Sequence, residues 1–592
     1  VDRTWRTTRL TRVDQAAVGL LLLQALYRGR AVFSGFFYED DFRYVYDADT
    51  SSLGADYLLQ DYNGHLMPGE FLLVWLLQRI APMDFDAVAF VLLLLQVAAS
   101  AMVWLLLREL VGPRPGALIG LAVYLFSPLT LGSFLWYAAS LQAVPLQLVM
   151  AAALLGHVRH LRTDATRPAL LALLAYTAGL VFWEKALLVV PVLVLVTLLW
   201  FGDGSVPARL RAGLVARWRL WSAYAAVSLG YLVLYVTAVR WQLGRRSSAD
   251  SVVELAQEAL LNGFVPALFG GPYAGFPTGL GLAPDPAPPV QALFLQALAL
   301  LVVGTVLLNR GAWRAWFLLG CYLLLDVALL ASGRIDVLGP IIGRDTRYLA
   351  DASVVAAVAV TLAMLPLRGG EVARRRFDLG RTLDRPAVAG LLLLAYVNSC
   401  WITSQEMVRR WAETSAEPYV RNAQADLRRL GDVVVYDDAP PSTVLSPWFL
   451  EDHRVSRIIG PLPESPRFDE PSDDLRVVDE EGRLRQPELQ VARRSPPGPD
   501  DQCGWAATGP AGVVVPVGDP LYPWVWTIRV GYFTGASTPG LVEVGGTSYR
   551  VRFQEGLHSL YLVHTGEVSD VTVTGIDRNV TVCIPGVDVG QL

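Results

Sequence analysis

DAVAFVLLLLQVAASAMVWLLL, residues 86–107, is the stretch on which the fold class turns. It carries a single charge, at its first position. A helix rises 1.5 Å per residue, so about 20 apolar residues cross a hydrocarbon core of about 30 Å. A helix of a soluble domain keeps a charged face, and this run has none. Similar blocks lie near 13–34, 116–131, 140–156, 168–182, 186–201, 220–239, 290–309, 315–331, 350–366 and 386–405. They predict about eleven membrane helices, and beyond residue 405 such blocks stop.

The composition agrees. Of 592 residues 53% are hydrophobic and 17% charged, where a soluble globular chain carries about a quarter charged residues. A purely soluble enzyme is therefore excluded. A net charge of −5, with no Lys/Arg cluster on a soluble domain, excludes nucleic acid as a partner. Four cysteines are too few for a disulfide-built scaffold, and no Cys/His spacing suggests zinc. Among 49 basic residues there is one lysine, Lys185; biased codon usage is the plain explanation. The first apolar block lacks a small-residue cleavage site and many spans follow, so a cleaved signal peptide is not expected.

Arginine placement predicts topology. With the N-terminus cytoplasmic, the inner segments hold about 21 Arg in roughly 73 residues, and the longer outer segments about nine Lys/Arg. This reading makes a multi-pass protein of the cell membrane with its C-terminal domain extracytoplasmic. Arg28 and Arg30 interrupt the first span, so they must snorkel or face protein. Residues 71–81 are too short to cross and read as an amphipathic or re-entrant helix. Two outer loops, 35–85 and 240–289, are long enough to suggest function; the Pro-rich part, 271–289, is a candidate gate.

The predicted architecture is thus an α-helical polytopic membrane domain, 1–405, followed by an extracytoplasmic β-rich, sandwich-like domain, 406–592. Residues 418–430 read as a short helix and 433–436 as a strand, and after Val513 short alternating runs dominate. Trp505, Trp524, Trp526 and Tyr532 could serve to stack on sugar rings, with the strand core as the alternative. Cys503 and Cys583 flank the β region in an oxidising compartment and are expected to form a disulfide.

Candidate chemistry concentrates in the outer segments. Phe37-Tyr-Glu39-Asp40-Asp41-Phe-Arg-Tyr44 follows the first span. Adjacent carboxylates at a membrane surface repel each other and lose solvent, which raises their pKa and makes one a usable base; a solvated acidic loop is the alternative. His65, just ahead of Pro68, sits where it could touch an anion, or simply enters a helix. Glu184 and Lys185 lie between two closely joined apolar runs, as functional groups or as a mutual ion pair. Arg334, Arg344 and Arg347 stand on the outer side against the general rule and could clamp a phosphate; Asp336, Asp345 and Asp351 nearby could instead neutralise them.

These residues, in this order, resemble the GT-C superfamily of integral-membrane glycosyltransferases. The resemblance rests on Glu39-Asp40-Asp41 opening the first outer loop, His65-Leu-Met-Pro68 before an apolar stretch, Leu107-Arg-Glu-Leu-Val-Gly112, and Phe126-Ser-Pro128. This run is similar to the bacterial protein-mannosyltransferase and aminoarabinose-transferase branch over about the first 200 residues. Beyond it the likeness is one of architecture: further spans, Arg347-Tyr348 near the last of them, and an outer β domain like those of actinobacterial cell-wall arabinofuranosyl- and mannosyltransferases. The resemblance implies a polyprenyl-phosphate-linked sugar donor, a glycan, lipid or protein acceptor, and inversion at the anomeric carbon. It implies Asp40 as base, Asp41 as its neighbour and Tyr44 in the family's Asp-Glu-x-x-Tyr pattern; Glu39 in front and Asp in second place leave a one-residue slip open. The donor phosphate would meet Arg344, Arg347, Lys185, His65 and Arg334, with Tyr44, Glu184 and Tyr348 positioning substrate. No cofactor is required, although Glu39, Asp40 and Asp41 could hold a divalent cation. Two other classes stay open: a transporter or flippase for a lipid-linked glycan, and a non-catalytic membrane anchor carrying a glycan-binding domain.

Overall fold

The computed structural model describes residues 10–202, 204–239, 248–271, 284–369 and 382–592. It divides into two compact units, Val1–Ser415 and Ala416–Leu592. Most of the Pro-rich stretch read as a gate, residues 272–283, lies outside the described residues.

In the first unit every predicted apolar block falls on a helix, but the helices differ in reach. Among the described residues, seven are long and apolar enough to cross a membrane, so the chain is a multi-pass membrane protein. The shortfall from eleven has two causes. Thr166–Phe182, Val189–Trp200 and Ala352–Met364 span 17, 12 and 13 residues, and Arg12–Val32 carries Asp14, Arg28 and Arg30. Arg28 faces protein: it is buried, donates to Thr130 Oγ1 at 2.6 Å and lies over the Phe134 ring.

Burial sorts these helices. In Ala117–Leu135, 94% of the spanning window is buried, against 6% in Trp218–Ala238 and in Pro288–Leu308; the first is central and the other two are peripheral. The central helix needs a glycine. A Cβ on Gly120 would stand 2.8 Å from the Ala357 carbonyl and closer still to Thr361 Oγ1, so only glycine admits the approach to Ala352–Met364.

The first long loop is structured. It forms the helices Asp40–Thr50, Ala55–Leu58 and Pro68–Ile80; the last is the apolar stretch too short to cross. Tyr44, Tyr62 and Phe71 pack edge-on between the first and last of these, and Arg79 donates to the carbonyls of Ala48, Asp49 and Ser51 at the end of Asp40–Thr50. The second loop also contains helix, Ala249–Gln257 followed by a wider turn to Phe264.

The second unit begins with the helix Glu417–Leu430 and a small sheet in which Val434–Val435 runs parallel to Arg467–Phe468 and Leu475–Val478. Leu484–Arg485 completes this four-stranded sheet antiparallel to Leu475–Val478, and the other seven strands hydrogen-bond into one antiparallel sheet. Its longest pair, Val513–Thr534 with Gly556–Thr574, carries register shifts near Gly566 and Val568, places at which strands bend. Thr538–Val544 alternates strictly between buried and exposed. Trp526 and Tyr532 belong to the core and Trp505 packs against it, whereas Trp524 is 54% exposed. Cys503 and Cys583 are joined by a disulfide.

Candidate active site

The two aspartates that follow the first helix do different things. Asp41 is fully buried; its Oδ2 accepts the Tyr38 N–H at 2.9 Å and its Oδ1 the Ala138 N–H at 2.8 Å. One carboxyl thereby closes the turn into Asp40–Thr50 and ties it to the first turn of Tyr137–Thr163. That clamp holds Glu39, the residue before the helix, at φ 49°, a backbone state that costs a non-glycine residue about 1–3 kcal/mol.

Asp40 points to Trp136. The indole Nε1–H donates to Asp40 Oδ1 at 2.8 Å, and no other residue among those described hydrogen-bonds to Oδ2. On the face of the same indole lies Arg347, its Cζ 3.9 Å from the ring centroid, held by Asp345 through Nε at 2.7 Å. A carboxylate at the edge and a guanidinium on the face of one tryptophan bring opposite charges together without pairing them directly. Burial pushes Asp40 above the ordinary carboxylate range, opposed first by the charge of Arg347, then by the Trp136 hydrogen bond and by Arg334. Burial and the adjacent Asp40 charge push Asp41 well above that range.

A second chain of contacts adjoins the first. Arg334, at the end of Ala312–Gly333, donates to His65 Nε2 at 2.5 Å, and His65 Nδ1 lies 2.6 Å from Glu184 Oε1. A guanidinium only donates, so Nε2 is the acceptor and Nδ1 carries the proton that goes to Glu184. Asp40, Glu184 and Arg334 follow the C-terminal ends of Arg12–Val32, Thr166–Phe182 and Ala312–Gly333, while Tyr137–Thr163 and Ala352–Met364 begin beside them. The group therefore sits where ascending helices end and descending ones start.

Other candidates do not join this group. Arg344 is bound by Glu258, with Nε to Oε2 at 2.5 Å and Nη2 to Oε1 at 3.2 Å, and by Asp285 at 2.9 Å; its donors are spent on protein. Lys185, predicted as a phosphate ligand, is buried between Asp326 and Asp351, and it makes no ion pair with Glu184, the pairing considered above. Tyr44 is buried in the aromatic packing and serves the helix. Tyr348 presents its carbonyl to Lys185 and its ring to Arg347. Among the described residues no three acidic, imidazole or thiolate groups are arranged to hold a metal ion.

Two participants carry no motif. Trp136 joins Asp40 to Arg347, and the only signal for it in the chain is an indole placed at the end of an apolar block. Glu70 is fully buried; burial, then the charge of Asp40, pushes it well above the usual carboxylate range, opposed by the Gln142 amide. Its sole signal is an acid in the first turn of a helix, Pro68–Ile80, that is apolar from Phe71 to Leu77.

No family model and no curated protein matches the chain. Solved structures do. ArnT from Cupriavidus metallidurans, solved with undecaprenyl phosphate, is 13% identical with a TM-score of 0.44, covering 79% of this chain and 94% of that one. An oligosaccharyltransferase from Archaeoglobus fulgidus is 11% identical with a TM-score of 0.38, covering 76% and 62%. The arabinosyltransferase EmbB from Mycobacterium smegmatis is 12% identical with a TM-score of 0.33, covering 99% and 65%. These likenesses lie at low sequence identity, and the chain spans less than two thirds of the archaeal and mycobacterial chains.

Proposed function

We propose that this chain is a membrane glycosyltransferase that moves a sugar from a polyprenyl-phosphate donor to an extracytoplasmic glycan, lipid or protein acceptor. The observation that carries the reading is the arrangement of Asp40 and Arg347 on one indole. Asp40 Oδ2 takes the proton of an acceptor hydroxyl as its oxygen bonds to the anomeric carbon. The bond from that carbon to the phosphate oxygen breaks in the same displacement, which inverts the centre. Arg347 and Arg334 offset the charge that grows on the departing phosphate, each contributing about 3 kcal/mol. Glu184, through His65, orients Arg334. The N-terminus lies in the cytoplasm and the site opens on the other face, where no nucleotide-sugar pool exists and a lipid phosphate can reach it laterally.

The test is transfer by purified protein from a panel of polyprenyl-phosphate sugars, with and without a chelator. Wild-type protein is expected to form product in both conditions, Asp40→Asn to lose at least about a hundredfold in rate, and Arg347→Gln to lose a similar factor. Full activity in Asp40→Asn would remove the base. Translocation of the lipid across a vesicle membrane with no bond formed would favour the transporter reading, for which the buried charges of Lys185, Asp326 and Asp351 are the motivating feature.

A further inference from the structure

The chain uses arginine at every basic position except Lys185, and the surroundings of that residue call for an ammonium. Lys185 Nζ donates to Asp326 Oδ1 at 2.6 Å, to Asp351 Oδ1 at 2.6 Å, and to the carbonyl of Tyr348 at short range. Three acceptors from three places converge on one atom. An ammonium has three N–H bonds pointing apart from one nitrogen, whereas a guanidinium spreads five donors in a plane over three nitrogens and cannot meet them together. Tyr322 completes the group by donating to Asp351 Oδ2, and Asp326 Oδ2 is buried without a partner.

What the acceptors belong to gives the cluster its meaning. Tyr348 lies in the turn Thr346–Leu349, next to Arg347. Asp351 directly precedes the helix Ala352–Met364. Asp326 and Tyr322 lie in Ala312–Gly333, which ends at Arg334. Lys185 itself follows Glu184 in the turn Glu184–Leu188, and its ammonium stands 5.1 Å from the centre of the Trp183 ring. Both cations beside Asp40 therefore lie one to eight residues from an atom that Lys185 holds or from one of its neighbours in the cluster.

We propose that Lys185 is a positioning residue: its ammonium pins the turn Thr346–Leu349 to the helix Ala312–Gly333 and to the turn carrying Glu184, and so sets Arg347 on Trp136 and Arg334 on His65. The inference rests on the glycosyl-transfer reading for its effect on rate, and on geometry alone for its effect on order. Lys185 is buried, and among the described residues its ammonium hydrogen-bonds to Asp326, Asp351 and the Tyr348 carbonyl and not to Asp40; its influence runs through the two arginines.

The experiment uses the full chain in lipid nanodiscs, with Lys185→Arg, Lys185→Met and Tyr322→Phe. Hydrogen exchange followed by mass spectrometry is expected to quicken about tenfold or more in Thr346–Asp351 for both Lys185 variants and to stay unchanged in Phe85–Val111. The pH profile of kcat/KM supplies a second readout. Asp40 is faced by Trp136, Arg347 and Arg334, by the acids Asp41 and Glu70, and by Tyr44 and Tyr62. Displacing Arg347 removes the larger of the two charges that oppose the acids, so the acid limb is expected to move to higher pH in Lys185→Met, at least as far as in Arg347→Gln, and no further in the double variant than in Lys185→Met.

Unchanged exchange in the turn, a rate lowered equally at every pH, or a Lys185→Arg protein equal to wild type would overturn the proposal. Should Lys185→Met fail to accumulate, Tyr322→Phe, which removes one hydrogen bond, is expected to produce the same local exchange and the same direction of shift. Absence of product from the wild type with every donor would sink the transfer reading, and exchange would still decide the role of Lys185.

Discussion

Asp40 and Asp41 are adjacent, and their substitution should separate chemistry from structure. Asn at 41 must turn an N–H₂ toward one of the two backbone N–H groups that the carboxylate accepts from, leaving donors facing each other at a cost of about 1–3 kcal/mol. Asp41→Asn is therefore expected to lower the unfolding temperature in detergent, whereas Asp40→Asn keeps it and loses turnover. Glu70 gives a pH test with a definite sign. Its folded pKa is raised, by burial first and the Asp40 charge second, so the fold binds its proton more tightly than the unfolded chain does. The stabilisation is fully present below the unfolded value of about 4.3 and is lost as pH rises toward the folded one. Glu70→Gln is expected to melt higher than wild type at pH 8, with the difference closing near pH 4; equal gaps at both pH values would refute the assignment.

At the scale of elements, short turns decide which charges are available. Arg344 and Arg347 are three residues apart, yet one ends in Glu258 and Asp285 and the other on Trp136. The sequence identified an outer arginine cluster and could not apportion it, because Glu258, Asp285 and Trp136 all lie more than 50 residues earlier in the chain. His65 and Glu184 were each legible as candidates, one ahead of a proline and one between apolar runs. Their contact was not, since nothing local encodes a pairing across 119 residues. Helix contact itself offers a further test. Gly120→Leu would drive a side chain into Thr361 and the Ala357 carbonyl; overpacking of this kind costs about 1–3 kcal/mol or more. The expected outcome is reduced thermal stability, with Gly230→Leu, where the added atom meets nothing within 4 Å, as the neutral comparison.

Across the whole molecule, the membrane class and the change of character after residue 405 were readable because hydrocarbon imposes a length and a composition on every span. Helix number was less readable, since buried helices such as Ala352–Met364 are apolar whether or not they are long enough to cross. In the first outer loop the helix Asp40–Thr50 buries Asp41, Phe42, Tyr44, Val45 and Ala48 on one face, a period too short to stand out in the chain, and it gains order from aromatic packing and from a single buried carboxyl.

The helix Trp218–Ala238 faces its surroundings along nearly its whole length, yet Tyr235 donates to the Gly64 carbonyl at 2.7 Å and Tyr231 to that of Leu66 at 3.4 Å, on either side of His65. A rod immersed in acyl chains thus holds the histidine loop by two hydroxyls. Tilt of that rod follows bilayer thickness, so turnover in vesicles of graded acyl length should peak at one thickness, and Tyr235→Phe should flatten the curve. The lipid around this protein would then act as a dial on its chemistry as well as its solvent.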